Sequence, residues 1–348
     1  MSHESGEIGT ADFPVDGDRK GPRGDSRPTA SSRRDTRQRG TIHFESGEMF
    51  QMSYLGGLLG PMRMSFLILT PACVLLGLGT AFWSSREIDW AYFVLILAGA
   101  ISAHISVNTF NEYFDFKSGL DLITKRTPFS GGTGTLPKMP GMAGTTIAVA
   151  VITLLITAII GLFFLYVRGA AILPLYIPGL LLVAAYTPWI VRSPFLCLIS
   201  PGLGFGPLMV IGTHFCLTGE YSWTSVIASM VPFFLVNNLL LLNQFPDVEA
   251  DKCVGRKHLL IVLGRSGSSL VFGLFLFLAY LSIVLGVVSG YMPRSSLIGL
   301  IAVTIAVPTF IGAYRFSNNI EKLIPYMGMN VLINILSPIL VAVGFFMA

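Results

Sequence analysis

Two short segments, far apart in the sequence, combine carboxylates and amides at helical spacing. Six of the ten Asp and Glu residues that follow residue 48 lie in these two segments. In the first, Asn108, Asn111 and Asp115 are spaced by three and four residues, so they share one face of a helix that continues this far. Gly119 then allows a break in the helix that brings Asp121 back toward that face.

The second segment repeats this arrangement. Asn243, Asp247 and Asp251 are spaced by four residues and would form one carboxylate-bearing stripe at a helix end. Pro246, inside the stripe, would introduce a kink of the kind found where a membrane helix opens onto a polar cavity. The two segments therefore predict two helix ends that present oxygen ligands to one compartment.

Carboxylate and amide oxygens at two such helix ends suit a hard divalent cation. Mg2+ prefers these oxygen ligands, keeps several waters, and is commonly shared between one or two carboxylates and the phosphates of a substrate. Basic residues close behind each segment, Lys125 and Arg126 in the first and Arg256 and Lys257 in the second, would bind phosphate oxygens that the metal does not reach. Together these residues predict a Mg2+-dependent diphosphate site.

A solvated loop is the simpler explanation for either segment alone, because interfacial loops carry charge wherever they are wet. The same arrangement occurs twice, however, and the other loops on the same side offer only Glu321 as an acid. This repetition favours the diphosphate site. The glycine-rich run at 127–134 lacks the Gly-Lys-Ser/Thr ending of a nucleotide-binding loop, so we interpret it as flexible lining of a cavity.

The remaining sequence is typical of a membrane protein. Of the 348 residues, 53% are hydrophobic and only 12% are charged, against roughly 25% charged in soluble domains, which excludes a soluble globular enzyme. Apolar segments long enough to cross a ~30 Å hydrocarbon core as helices recur from residue 55 onward. We predict an all-α, polytopic fold with nine transmembrane helices around a central cavity. The predicted spans are residues 57–83, 89–110, 142–167, 170–190, 194–218, 222–243, 268–290, 296–315 and 323–347.

Charge is distributed unevenly between the predicted loops. Twelve Lys and Arg residues lie on one side of the nine spans and three on the other, so the positive-inside rule puts the amino terminus and both acidic segments in the cytoplasm. Residues 1–48 are polar and lack aliphatic runs, which predicts a disordered cytoplasmic tail ahead of a helical domain at 49–348. The basic surplus lies in membrane loops, so no nucleic-acid partner is expected. His104 and His214 are interpreted as buried hydrogen-bonding residues, since the scattered His and Cys give no zinc pattern.

The two acidic segments also match a known pattern. Residues 111–121, Asn-Glu-Tyr-Phe-Asp-Phe-Lys-Ser-Gly-Leu-Asp, resemble the first aspartate-rich motif of the UbiA superfamily of intramembrane prenyltransferases. Residues 243–257, Asn-Gln-Phe-Pro-Asp-Val-Glu-Ala-Asp-Lys-Cys-Val-Gly-Arg-Lys, resemble the second motif, and Leu-Gly follows at 263–264. The resemblance covers the sequence from about residue 55 and includes the position of the motifs after the second and sixth spans.

The resemblance implies a helical bundle in which both motifs hold Mg2+ and bind an isoprenyl diphosphate, with the prenyl tail in a lipid-facing groove. By position, Asn111, Asp115, Asp247 and Asp251 match metal-binding or metal-diphosphate residues of the family, and Asp121 closes the first motif. The four aspartates are the expected catalytic residues.

Further residues are candidates for the same site. Tyr186 and Arg192 resemble the tyrosine and the basic residue that close the family's fourth span and face the diphosphate. Arg63 resembles a basic residue of the family's first span, although the adjoining proline precedes it here, and snorkelling of its side chain to the interface explains it equally well. Asn108 and Asn243, one turn before the motif acids, complete the candidates.

Within the superfamily, the spacing from Asp115 to Asp121 and the stretch at 127–134 resemble the 1,4-dihydroxy-2-naphthoate prenyltransferase branch of menaquinone biosynthesis. The resemblance implies transfer of a polyprenyl group from polyprenyl diphosphate to an aromatic acceptor in the lipid bilayer, at a bacterial or archaeal cytoplasmic membrane. Two alternatives remain: a transporter with an ion or solute site at the acidic segments, or another UbiA-type enzyme that takes 4-hydroxybenzoate or a glyceryl phosphate. The acids lie at one membrane face rather than at the midplane, which favours an enzyme.

Overall fold

The computed structural model describes residues 54–348, which form helices joined by turns and loops, without a β-strand. Helices satisfy every backbone N–H and C=O within the segment, as a bilayer requires. The predicted all-α class is confirmed for this part of the chain, whereas the predicted disordered tail at 1–48 lies outside the described residues. The helices are α1 (Tyr54–Phe66), α2 (Leu69–Ser85), α3 (Trp90–Lys117), α4 (Leu120–Ile123), α5 (Thr135–Lys138), α6 (Ala143–Arg168), α7 (Leu173–Ala185), α8 (Pro194–Leu203), α9 (Gly212–Thr218), α10 (Trp223–Asn243), α11 (Val248–Cys253), α12 (Leu259–Val288), α13 (Val303–Arg315) and α14 (Ile320–Phe346).

The number of long apolar helices differs from the nine predicted spans. Within residues 54–348, seven helices are long and apolar enough to cross a membrane, and there are up to eight if α1 and α2, bent by 45°, count as one span. Three of the seven are continuous helices longer than the segments named above: Pro140–Arg168, which contains α6, Pro194–Thr218, which contains α8 and α9, and Arg294–Arg315, which contains α13. The predicted span at 170–190 contains only the shorter apolar helix Ala170–Ala185. At 1.5 Å per residue this helix is about 24 Å long, less than the ~30 Å hydrocarbon core. The count of nine spans is therefore not confirmed.

Helix α10 lies inside the bundle, where it packs against α8, α12 and α14. In its apolar stretch 67% of the residues are buried, against 11% in the span that contains α6. Leu155 and Ile159 of α6 are exposed, as expected for a helix whose outer side faces lipid. A buried helix thus fixes the position of the second acidic segment.

The first acidic segment lies on the last turns of α3. This helix has 28 residues and is about 42 Å long, so it extends beyond a ~30 Å hydrocarbon core. It ends at Lys117, and Gly119 adopts the left-handed conformation (φ 79°) that starts α4. This break returns Asp121 to the side of α3 that carries Asp115, as the sequence predicted.

The second acidic segment differs from its prediction. Asn243, Asp247 and Asp251 do not form one helical stripe, because α10 ends at Asn243 and a turn separates it from α11. Pro246 lies in this turn, where a proline lacks the N–H that a continuing helix needs and disfavours helical geometry in the residue before it. The three residues nevertheless line the same cavity.

Candidate active site

A cavity of about 440 Å³ runs between the helices. Along α3 its lining extends from Asp115 to Ile96, a distance of roughly 28 Å at 1.5 Å per residue. Its inner part is lined by apolar side chains such as Phe164, Leu180 and Met209, and its other end is polar. The cavity therefore has the dimensions of a long apolar chain with a charged head.

Both acidic segments converge at the polar end of the cavity. Arg256 joins them: its Nη2 donates to Oδ1 of Asp115, and its Nη1 donates to Oδ1 of Asp251 over 3.2 Å. Asp251 also accepts a hydrogen bond from Nε2 of the buried His258 at 3.1 Å when that nitrogen carries the proton. Residues from α3 and α11 are thus held within one ion-pair network.

Several oxygen atoms at this end have no hydrogen-bond partner among the described residues. They are Oδ2 of Asp121, Oδ1 of Asn243 and Oδ1 of Asp247, all shielded from solvent. A buried oxygen without a partner is costly, and a bound cation would remove that cost. The oxygen type is the one that Mg2+ prefers, so these residues fit the predicted metal.

The carboxyl groups of Asp121 and Asp247 both have raised pKa values, because both are buried. Burial, reinforced by neighbouring Glu112, raises the pKa of Asp121 to about 7. Burial and the charge of Asp251 raise the pKa of Asp247 to about 7. Among residues 54–348, no group of three or more His, Cys, Asp or Glu could hold a metal by itself. The amide oxygens and the phosphates of a substrate would have to complete the coordination of any metal bound here.

The glycine-rich run crosses the polar end of the cavity. The backbone N–H of Gly131 donates to Oδ2 of Asp247 over 3.2 Å. Gly132 lies so close to Asp121 that a Cβ at this position would be 2.7 Å from Oδ1 of the carboxylate. Gly131, Gly132 and Gly134 all have positive φ, which glycine adopts without strain. The sequence interpretation of this run as cavity lining agrees with its position.

Arg63 belongs to the polar end as well. Its Nε donates to Oε1 of Glu112 over 3.0 Å, and its Nη2 donates to Oδ1 of Asn111 over 3.2 Å. Its backbone is left-handed (φ 53°), a conformation that costs a non-glycine residue free energy and persists where neighbours hold it. Asn108, one turn before Asn111 on α3, donates from Nδ2 to the carbonyl of Met62, the residue before Arg63, over 3.0 Å. Arg63 is therefore anchored over the cavity rather than extended toward an interface.

The other predicted phosphate-binding residues divide into two groups. Tyr186 and Arg256 line the cavity. In contrast, Lys125, Arg126, Arg192 and Lys257 are exposed and do not line it. Arg126 turns back to donate from Nη2 to the carbonyl of Asp121 over 2.9 Å. In the Arg256–Lys257 pair only Arg256 lines the cavity, which residue type alone does not predict.

Sequence reasoning did not select three residues of the site. His258 supports Asp251, Glu112 neutralises Arg63, and Thr133 donates to Glu112 from both its backbone N–H and its hydroxyl. Glu112 lies within the first motif, so its position was a usable signal. Thr133 lies in the glycine-rich run at 127–134, which the sequence predicts only as cavity lining. No pattern in the sequence marks His258, because its role depends on a loop that meets Asp251 only in the folded chain.

Comparison with known proteins gives one family. Residues 70–332 match the UbiA prenyltransferase family. The chain is 29% identical over 208 residues to 1,4-dihydroxy-2-naphthoate octaprenyltransferase of Bacillus subtilis (strain 168), a match that covers 59% of this chain and 65% of that protein, slightly under two thirds of its length. It is 22% identical over 263 residues to 2-carboxy-1,4-naphthoquinone phytyltransferase of Synechocystis, covering 73% of this chain and 81% of that protein.

The fold has solved relatives. A UbiA homolog from Archaeoglobus fulgidus, whose structure was determined bound to GPP and Mg2+, superposes with a TM-score of 0.56 at 12% identity. The superposition covers 82% of this chain and 99% of the homolog. At this identity the likeness shows a shared fold.

Proposed function

The chain belongs to the UbiA prenyltransferase family, and from this membership we propose that it transfers a polyprenyl group from an isoprenyl diphosphate to an aromatic acceptor in a Mg2+-dependent reaction. The acceptor is 1,4-dihydroxy-2-naphthoate or a related quinone precursor. The similarity to the Bacillus naphthoate octaprenyltransferase supports this choice of acceptor, as does the spacing of the first motif.

One observation carries the proposal. Two acidic segments from distant parts of the chain meet at the polar end of a single apolar cavity, and Asp121, Asn243 and Asp247 each present a buried oxygen without a partner. A divalent cation with a diphosphate satisfies those oxygens, and the long apolar part of the cavity suits a prenyl chain. An ion pathway would not need an apolar lining of this length next to its acids.

The residues of the chain divide the work of the reaction. Asn111, Asp115, Asp121, Asp247 and Asp251 would hold Mg2+, which supplies the positive charge that lets a diphosphate leave. Arg256 and Arg63 would bind the remaining phosphate oxygens through their planar, multiply donating guanidinium groups.

The cavity wall governs the other half of the reaction. Once the bond between carbon and phosphate oxygen loosens, the allylic carbon becomes cationic and reacts with any water that reaches it. The apolar lining excludes water, and the ring of Tyr186 at the cavity wall can stabilise the positive charge through its face. An electron-rich acceptor ring then attacks this carbon, and a proton leaves the ring.

We also propose the location and orientation predicted from the loops. The protein would lie in a bacterial or archaeal cytoplasmic membrane with the polar end of the cavity toward the cytoplasm. A water-soluble diphosphate head could then enter from the cytoplasm while the prenyl chain stays in hydrocarbon, where each CH2 gains roughly 0.8 kcal/mol.

The test incubates membranes that contain the protein with radiolabelled geranylgeranyl or longer polyprenyl diphosphate and a panel of aromatic acceptors, with Mg2+ or with EDTA. We expect a prenylated naphthoate product that requires Mg2+, that is lost in Asp115→Asn, and that is reduced in Asp247→Asn at the Mg2+ concentration that saturates the wild type. Transfer to 4-hydroxybenzoate or a glyceryl phosphate alone would replace the acceptor but keep the reaction. Full activity in EDTA, or dissipation of a solute gradient in vesicles without any transfer, would reject the proposal.

A further inference from the structure

One polar side chain deep in the cavity takes no part in the diphosphate site. His104 lies on α3, seven residues before Asn111 and on the same face, and it lines the cavity. We propose, on the basis of the proposed function, that Nε2 of His104 forms a hydrogen bond with a hydroxyl group of the aromatic acceptor and so orients its ring toward the allylic carbon.

The ring of His104 is fixed on two sides. Its Nδ1 lies 2.8 Å from Oγ1 of Thr70, within a buried hydrogen bond. Its ring packs edge-to-face with Phe205, with centroids 4.8 Å apart and an interplanar angle of 80°. Nε2 makes no hydrogen bond to any of residues 54–348. The imidazole is therefore held in one orientation with a single nitrogen left for a ligand.

Three other hydroxyl groups of the cavity wall are already engaged in hydrogen bonds. The hydroxyls of Thr157, Tyr176 and Thr213 each donate to a backbone carbonyl. A hydroxyl so engaged is a weaker partner for a ligand, because binding would have to compete with an existing hydrogen bond. His104 thus offers a free polar atom in a mostly apolar wall; the hydroxyl of Ser200 on α8, which lines the same cavity, also has no hydrogen bond within residues 54–348.

The depth of His104 suits an acceptor ring rather than a diphosphate. Along α3, His104 is two turns, or about 10 Å, from Asn111, and Asn108 lies between them. If the diphosphate binds beside Asn111 and Asp115, the reacting ring must approach the allylic carbon to about 3–3.5 Å on its inner side. A fused ring in that place would extend to the level of His104. A prenyl chain offers His104 no hydrogen bond, whereas an aromatic hydroxyl does.

Thr70 leaves His104 chemically adaptable. The Thr70 hydroxyl has no hydrogen bond besides the one with Nδ1, so it can donate to this nitrogen or accept from it. Nε2 can accordingly either accept from a hydroxyl or donate to a phenolate. This suits an acceptor whose hydroxyl loses its proton during the reaction.

A second Thr–His pair in the same chain provides a matched control. Nδ1 of the buried His214 lies 3.1 Å from Oγ1 of Thr80, but the Thr80 hydroxyl already donates to the carbonyl of Gly77. His214 is not part of the cavity lining. Both pairs stabilise the packing of α2, so a purely structural role predicts similar effects for His104 and His214.

The experiment uses the full chain in mixed lipid and detergent, with Mg2+ present. It measures the steady-state KM values for 1,4-dihydroxy-2-naphthoate and for geranylgeranyl diphosphate. The variants are His104→Leu, His104→Gln, Thr70→Val and His214→Leu. We expect His104→Leu to raise KM for the acceptor at least tenfold and to change KM for the diphosphate less than twofold. His104→Gln, which keeps a hydrogen-bonding side chain, should recover most of the loss, Thr70→Val should give an intermediate loss, and His214→Leu should leave both KM values unchanged.

Other results would overturn the proposal. An unchanged acceptor KM in His104→Leu, or equal effects of His104→Leu and His214→Leu, would reduce His104 to a packing residue. If His104→Leu does not fold, His104→Gln and Thr70→Val are the test: the proposal requires that they change the acceptor KM more than the diphosphate KM. A wild-type protein inactive with every aromatic acceptor rejects the proposed function and this inference together, whereas an active wild type with unaffected variants rejects only the role of His104.

Discussion

The buried carboxylate of Glu112 accepts two hydrogen bonds from Thr133, each 2.9 Å long, one from the backbone N–H and one from the hydroxyl. The same carboxylate forms an ion pair with Arg63 at 2.9 Å. Glu112 therefore joins three parts of the chain: the last turns of α3, the segment that carries Arg63, and the glycine-rich run over the cavity. We infer that the acid at this position of the first motif has a structural role, because it links α3 to Arg63 and Thr133.

Glu112→Gln is expected to destabilise the protein and lower its activity. The amide cannot accept at both ends, and Arg63 loses its nearest counter-charge in a largely buried position. Breaking a buried ion pair in this way costs about 3 kcal/mol. The measurement is thermal unfolding in detergent, with prenyl transfer assayed on the same samples.

Glu249→Gln is the control for this prediction. Glu249 pairs with Lys252 on α11, but the two side chains are 77% and 47% exposed. Exposed pairs of this kind contribute little to stability, so this variant should unfold at the wild-type temperature. Equal stability of Glu112→Gln and Glu249→Gln would contradict the role assigned to Glu112.

The sequence was sufficient for the features that depend on local spacing. The face shared by Asn111 and Asp115 follows from helical periodicity, and the return of Asp121 follows from the glycine at 119. Membership of the UbiA family, expected from the two motifs, is confirmed. The apolar segments likewise predicted the all-helical fold.

The features that depend on distant contacts could not be predicted in this way. A pattern of residue types does not distinguish Arg256, which faces the cavity, from Lys257, which is exposed. Hydropathy did not show that the helix within 170–190 is too short to count as a span. His258 became a candidate only because the chain after α11 folds back on Asp251.

Arg256→Gln is expected to lower kcat/KM at least 100-fold. Its guanidinium lies between Asp115 and Asp251 at the point where the phosphates would bind, and removing one donor to developing negative charge typically costs about 100-fold to 1000-fold in rate. Lys257→Gln removes the same charge from the next, exposed residue and should stay within twofold of wild type. If Lys257→Gln were the more damaging change, the phosphate-binding base would have to be reassigned.

Asp247→Asn and Asp121→Asn are expected to raise the Mg2+ concentration that gives half-maximal activity. Each change replaces a carboxyl group that has a buried oxygen without a partner by a neutral amide. Loss of even an outer-sphere partner of a metal costs roughly 10-fold to 100-fold in affinity. The measurement is a Mg2+ titration of prenyl transfer after removal of metal with EDTA.

Asp89→Asn is the control for these two variants. It makes the same chemical change at the start of α3, away from the end of this helix that carries the first acidic segment. Asp89 caps that helix by accepting hydrogen bonds from the N–H groups of Ala91 and Tyr92, and asparagine caps almost equally well. This variant should show the wild-type Mg2+ requirement. An unchanged requirement in Asp247→Asn and Asp121→Asn as well would place the metal elsewhere.

Gly132→Ala is expected to abolish most of the activity, because it strains the backbone and places a methyl group against Asp121. Its φ of 68° strains any residue with a Cβ, and that Cβ would lie 2.7 Å from Oδ1 of Asp121. The run must then move away from the cavity or displace the carboxylate. Gly144→Ala, on α6, meets nothing within 4 Å and gains helix propensity, so it should be fully active and slightly more stable. Prenyl transfer and thermal unfolding of both variants decide the matter: an active Gly132→Ala would mean that the run can shift without disturbing Asp121, and that its close approach is not needed for the reaction.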